Sequence, residues 1–359
     1  MTLLQAGDES AGTWPSTPYL PSTPDQVLWG LLPNALTASL VSIGSGETVC
    51  VDTVSHEGLL EDQGRDPVAF FGSYGIPRSL VLDDAVALAA SGRQHDPAAV
   101  GPHVVTGPIA VRGARPGDVL EVEVLALERR APYGIISNRH GKGALPGELP
   151  PASTTGPVCV LATVEDDQGV IAVGDGRSVR FPLNPFLGIM GVAVATDQQV
   201  HSVPPGRHGG NLDVALFGLG SRLFLPVQVD EALFYVGDPH FAQGDGEVAL
   251  TAFEAPLRAT LRLTLHTDPA IRRLAGALSA PWGQTDEVYV ATGLDTDLGC
   301  AMKDATRNAL VLLGQRFGLP EHVAYAYLSA AGNFAVSQVV DGIQGVHCSL
   351  RRADLDPLA

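Results

Sequence analysis

The chain has 359 residues, 45% of them hydrophobic and 17% charged, enough to bury one large core or two ordinary ones, which excludes a disordered or fibrous protein. Lys and Arg total 22 against 39 Asp and Glu; the net charge of -17 repels phosphate backbones and anionic headgroups, so nucleic acid and membrane surfaces are poor partners. The 41 Gly and 27 Pro make about a fifth of the chain, above an average of roughly 12%, and imply many turns between short strands.

Residues 1–24 carry four prolines with Gly, Ser and Thr and no periodicity, and read as an extended N-terminal arm. They lack a basic flank and an apolar h-region, and no window nears 18 unbroken apolar residues, so a soluble cytoplasmic protein is expected. Residues 25–265 read as a β-rich body. Short β-branched runs alternate there with Gly/Pro punctuation: TVCVDTV, HVVTGPIAV, DVLEVEVLAL, PVCVLATV, VIAVG, LFLPVQV, EVALTAF and RATLRLTL. That density predicts a mainly β fold, a jelly-roll-like sandwich or barrel. In GDVLEVEVL, Val119, Glu121, Glu123 and Leu125 share one face and Leu120, Val122 and Val124 the other, after a turn through Pro116 and Gly117. RATLRLTL places Arg258, Thr260, Arg262 and Thr264 outward by the same alternation.

Residues 266–359 form a smaller α/β portion. Over 295–318, Leu298, Ala301, Met302, Ala305, Ala309 and Leu312 recur at helical spacing, with Asp295 or Asp297 as N-cap and Gly318 beyond the end. Pro320 suits the start of a second helix running to about Ala331, FAVSQVV alternates like a strand, and Asp341-Gly342 is a turn signal. The pattern is β-α-α-β packed on the body. No repeat of 20 to 50 residues is visible.

Two segments concentrate chemistry: PPGRHGGNLD (204–213) and VGDPHFAQGDGE (236–247). In an extended segment Asp238 and His240 share a face, as do Asp245 and Glu247, and Gly244 lets the two pairs converge. His208 and Asp213 need a loop through Gly209 and Gly210 to meet. Gly-rich turns with Asp and Asn also stabilise themselves by side chain to backbone hydrogen bonds, so turn chemistry alone is an alternative. Flanking strands favour a carboxylate/imidazole metal site, although no H-E-x-x-H motif fixes the metal. His140 and Lys142, among Gly141, Gly143, Pro146 and Gly147, read as an exposed turn. Cys50, Cys159, Cys300 and Cys348 form no C-x-x-C pair and read as buried thiols; neither Cys159 nor Cys300 has a nearby base to make it a nucleophile. Ser42, Ser45 and Ser73 lie near glycines outside any G-x-S-x-G elbow, which disfavours a serine hydrolase.

The chain resembles the acetamidase/formamidase family of amidohydrolases in residues 103–125, 182–193, 204–213, 223–248 and 328–346, with HGGN-x-D and GD-x-H-x-x-QGDGE its most specific segments. The resemblance implies hydrolysis of a short-chain amide to a carboxylate and ammonia, a jelly-roll-like body, a homo-oligomer (dimer or higher) and a divalent metal, with zinc the expected ion. It carries over His103, His208, Asn211, Asp213, Asp238, His240, Gln243, Asp245 and Glu247, without saying which touch metal. Asn333 stands where relatives commonly have an acid, and residues 139–150 lie where they vary, so the substrate-side walls are expected to differ.

An amide is a poor electrophile, and a divalent ion answers this by polarising its carbonyl and activating water. The expected ligands are His103, His208, Asp213, Asp238 and His240. Glu247 is the expected general base with Asp245 as a second proton-handling carboxylate, and Asn211 or Gln243 is expected to hold the amide. The rival reading is a non-catalytic metal- or carbohydrate-binding β-sandwich, since fold alone does not decide function.

Overall fold

In the computed structural model, which describes residues 3–8 and 17–358, the chain is mainly β and built on open sheets. A nine-stranded sheet runs, in spatial order, Tyr19–Leu20, Glu47–Asp52, Leu257–His266, Val119–Arg129, Arg222–Pro226, Trp282–Gln284, Val288–Asp295, Gln344–Arg351 and Asn333–Gln338. A six-stranded sheet is centred on Phe186–Val192, Phe234–His240 and Val104–Val111, with Gly209–Asn211 at one edge and Val27–Trp29 and Val41–Ile43 on the far side. Tyr133–Asn138, Val158–Glu165, Gln168–Gly174 and Arg177–Pro182 form a four-stranded meander. No sheet closes into a barrel among the described residues, so of the two architectures expected the sandwich is the one present.

The two large sheets share one core. Leu120, Val122, Val124, Leu261 and Leu263 from the first meet Val111, Leu187, Met190 and Val236 from the second. Each fully buried aliphatic side chain of this kind contributes roughly 1.5–3 kcal/mol. The three central strands of the six-stranded sheet are buried along their whole length, so they read as continuous apolar runs without alternation. Val119–Arg129 does alternate: Leu120, Val122 and Val124 enter the core, while Glu121 and Glu123 are half-covered and pair with Arg222, Arg262 and His266.

The C-terminal helices lie close to their expected bounds. Leu298–Phe317 begins at Asp297, whose side chain accepts from the Cys300 N–H at 2.8 Å, and ends at Gly318 in the left-handed region (φ 69°). Glu321–Ala331 follows Pro320. Leu312, Leu313, Phe317 and Leu328 pack with Val119, Tyr289 and Leu350 in a second core on the outer face of the nine-stranded sheet. No helix among the described residues is long and apolar enough to cross a membrane.

Several local expectations are corrected. Residues 1–2 and 9–16 of the expected arm lie outside the described residues. Its described parts cover one end of the nine-stranded sheet, where Tyr19–Leu20 pairs in parallel with Glu47–Asp52 and Arg258 donates to the carbonyls of Gln5 and Asp8. That cover buries Arg258 and Thr260, which alternation places in solvent. Cys159 and Cys300 are half-buried, not buried like Cys50 and Cys348. EVALTAF is no strand: residues 241–256 hold only isolated bridges, and the next strand starts at Leu257. Of residues 139–150, Arg139 is largely covered by its ion pairs with Glu57 and Asp62, whereas Lys142 is exposed.

Candidate active site

Strands of both large sheets and the turns that follow them deliver acids and imidazoles to one buried place. Phe234–His240 brings Asp238 and His240, and Asp213 follows Gly209–Asn211 on the same sheet. Asp213 and Asp238 take positive φ (48° and 50°), a conformation Asp tolerates better than most side chains and which turns both carboxylates to the same side. Gly188 on the strand between them has no alternative: a Cβ there would collide with Asp213 Oδ1, Asp238 Oδ2 and the His240 ring. His103 opens Val104–Val111 and His56 follows Glu47–Asp52. Glu247 sits on a turn with Gly246 at φ 103° and itself at φ 47°, tied to the C-terminal strand by the Gly246 N–H to Ser337 carbonyl bond. The same strand leads into Asp341, and Glu254 is held by bridges to His240 and Ile135.

His56, His103, Asp238, Glu247, Glu254, Asp341 and Asn211 line a chamber of ≈ 420 Å³, while Asp213 and His240 stand just behind its wall. The cluster contains three groups whose ligand-type atoms all lie within 4.8 Å of one another: His56, His103 and Asp238; Asp213, His240 and Glu247; Asp238, His240 and Glu254. His56 Nδ1 and His103 Nε2 stand 3.7 and 3.8 Å from the same atom, Asp238 Oδ1, too far for hydrogen bonds. The opposite nitrogen of each ring is engaged: His56 Nε2 lies 3.4 Å from Glu57 and His103 Nδ1 lies 3.0 Å from Ser202 Oγ. Glu57 is itself fixed by the Ser137 hydroxyl at 2.6 Å and by Gln63. Both imidazoles therefore present one free nitrogen to Asp238 with the ring orientation set from behind, the arrangement that metal-ligating histidines adopt.

The polar atoms here are buried and unsatisfied. Among the described residues, both Asp213 oxygens, Asp238 Oδ1, Glu254 Oε2, Asp341 Oδ2, Asn211 Oδ1 and His56 Nδ1 find no protein hydrogen-bond partner. Each such group costs roughly 1–3 kcal/mol, more when charged, unless something else satisfies it. An oxygen- and nitrogen-rich donor set of net negative charge fits a divalent cation.

The titration behaviour is that of carboxylates crowded out of water. Burial pushes Asp213 well up, reinforced by Glu247, Asp341 and Asp238. Burial and then Asp341 push Glu247 up, and burial takes Asp341 to about 8. Asp238 goes the other way: burial disfavours its charge, but the His240, His103 and His56 imidazoles around it hold it well below the carboxylate range. Burial lowers His103 to about 4, so the ring is neutral at pH 7, the form that ligates metals.

Of the residues expected from sequence, the structure brings together His103, Asn211, Asp213, Asp238, His240 and Glu247. It leaves out three. The His208 ring packs between Gly206 and Gly210 and does not reach the chamber. Asp245 is exposed, because positive φ at Gly246 and Glu247 breaks the extended geometry that would put it beside Glu247. Gln243 donates to the carbonyls of Asp213 and Ser337 and braces the site from behind. Asn333 is exposed at the start of its strand, away from the chamber. Sequence reasoning missed the adjacent pair His56 and Glu57 and the lone Glu254, and took Asp341 for a turn residue. The one signal for them is a charge inside a run that otherwise reads as core.

Fold and site together define a β-sandwich protein with a buried carboxylate–imidazole centre. This chain matches a model of the acetamidase/formamidase family over residues 192–350. It is 29% identical over 199 residues to an acetamidase of Mycolicibacterium smegmatis, a match covering 41% of this chain and 49% of the relative. It is 27% identical over 203 residues to a formamidase of Methylophilus methylotrophus, covering 41% and 47%. These matches span about half the length of the curated relatives. The solved acetamidase of Bacillus halodurans superposes with a TM-score of 0.73 at 27% identity, over 95% of this chain and 99% of that one.

Proposed function

We propose that this chain is an amidohydrolase that cleaves the C–N bond of a small amide with water, giving a carboxylate and ammonia. The observation that carries the reading is the chamber, where buried acids and imidazoles with unsatisfied atoms face a cavity in a chain that a model of this family matches over residues 192–350. The relatives named acetamidase and formamidase support the substrate class.

His56, His103 and Asp238 are the residues best arranged to hold a divalent ion, zinc by the two-imidazole, one-carboxylate donor set. Bound there, such an ion would supply Lewis-acid polarisation of the amide carbonyl and a more acidic water. Glu57 and Ser202 keep the two rings turned toward Asp238. Glu247 acts as the proton carrier. It takes a proton as the water oxygen bonds to the carbonyl carbon, and returns it to nitrogen as the C–N bond breaks. Burial and the neighbouring Asp341 raise its pKa, which makes the carboxylate a stronger proton acceptor. Asn211 Oδ1, buried and without a protein partner among the described residues, is placed to accept an N–H of the substrate amide.

The test is ammonium release from formamide, acetamide, propionamide and a cyclic amide, with metal analysis of the same preparation. Turnover of at least one amide and a stoichiometric divalent ion are expected. No turnover by metal-replete protein would favour the non-catalytic binding reading.

A further inference from the structure

The chamber is larger than a four-heavy-atom amide requires. Its ≈ 420 Å³ would hold on the order of a dozen waters at ~30 Å³ each, and it falls in the size range of pockets that enclose whole drug-sized ligands. The walls away from the acidic cluster are apolar: Leu60, Val100, Pro102, Val203, Leu250 and Val340. Five of these six are only half-buried, because they face the cavity and no packed core. The charged residues of those walls are largely spent on one another. Glu61 lies 3.0 Å from His95 Nδ1 and Asp62 lies 2.7 Å from Arg139 Nε, which leaves the exposed Lys142 and His201 among the lining residues. His95 is fixed further, with Nε2 2.8 Å from the Gly101 carbonyl and its ring stacked on Trp29. These walls are continuous with the site at His103, next to Pro102, and at Asp341, next to Val340.

We infer that the preferred substrate is an amide with an uncharged apolar acyl group of about five or more carbons, its carboxamide at the acidic cluster and its tail along Leu60, Val100, Val203 and Leu250. This inference rests on the amidohydrolase reading and narrows it. The physical reason is that acetamide leaves the apolar walls wet, whereas a longer chain transfers its methylenes out of water. Each methylene buried is worth about three- to four-fold in kcat/KM.

The experiment is a series of acetamide, propionamide, butyramide, hexanamide and benzamide with metal-replete full-length protein, following ammonium release and, separately, binding by calorimetry. The inference expects kcat/KM to climb about three- to four-fold per methylene up to hexanamide, and Val203→Trp to lower the hexanamide-to-propionamide ratio at least ten-fold. A kcat/KM that is highest for acetamide and falls with length overturns the inference and leaves the amidohydrolase reading intact. Tight binding of hexanamide without ammonium release does the reverse: it keeps the apolar chamber and removes the hydrolase. The wild-type series decides the matter even where Val203→Trp fails to fold.

Discussion

Two buried charge clusters lie in this molecule, and they are built on opposite terms. At one end of the nine-stranded sheet, Arg258 and Arg130 face Asp52 and, from the helix Asp83–Ala90, Asp84: Arg258 holds Asp52 through both carboxylate oxygens at 2.6 and 2.9 Å, and Arg130 reaches Asp84 at 2.8 Å. The charges cancel pair for pair. Ser22, Tyr19 and the backbone carbonyls of Leu4, Thr53, Gln5 and Asp8 take up further bonds. In the chamber's acidic cluster, Asp213, Asp238, Glu247, Glu254 and Asp341 meet His56, His103 and His240; of the two lining cations, Arg139 pairs with Glu57 and Asp62 instead, Lys142 is exposed, and carboxylate oxygens are left unsatisfied among the described residues. The first cluster balances its own charge and fastens the N-terminal arm. The second is complete only with something added, which is why it reads as a site and the first as a fastening.

The largest effect that would sharpen this contrast is at Glu247. Glu247→Gln keeps size and removes the proton carrier, so kcat should fall by about 10² to 10⁴ with fold and metal content retained. Circular dichroism, metal analysis and steady-state kinetics on one preparation separate the cases. Loss of metal would make Glu247 a ligand; unchanged kcat would make it scaffold and remove the central step of the mechanism.

The complementary substitution is Arg258→Leu. It strands Asp52 in the core and should cost about 3–5 kcal/mol of unfolding free energy, read by denaturant titration, without changing metal content. A loss below about 1 kcal/mol would mean that the arm is not held by this pair.

His208 tests the residue that the fold withdrew from the site. Burial lowers its pKa to about 4, against about 6.5 in the unfolded chain. A depressed imidazole contributes stability that is fully present above pH 6.5 and is lost as pH falls toward 4, because the unfolded state takes up the proton first. The wild type should lose up to about 3 kcal/mol over that range relative to His208→Asn, measured by urea unfolding at stepped pH. Parallel pH curves for the two proteins would show that the ring titrates normally.

The smallest effect is at Glu57, which touches His56 and not the chamber's ligand. Glu57→Gln should weaken metal affinity by about 10- to 100-fold with kcat at saturating metal less affected, as competition with a chelator would show. An unaltered affinity would place the ion at Asp238, His240 and Glu254 instead of at His56 and His103.

Much of this was already readable in one dimension. Local physics decides the helix from Leu298, since Asp297 caps it and Gly318 stops it within a few residues of sequence. It decides the alternation of Val119–Arg129, and it marks HGGN-x-D and GD-x-H-x-x-QGDGE as the segments that bear Asp213, Asp238, His240 and Glu247. What the sequence could not decide is which polar residues from distant segments converge. His56, Glu254 and Asp341 come from separate stretches of the chain, none of which carries a recognisable motif, and sheet pairing brings them to one chamber. Asp245 and Glu247 make the same point in reverse: a period of two predicts a shared face, but positive φ at Gly246 and Glu247 turns one side chain to solvent and the other to the site. Backbone conformation at single residues and pairing across long sequence separations are set by the whole packed structure, so the composition of the site belonged to the tertiary fold, while its chemistry belonged to the sequence.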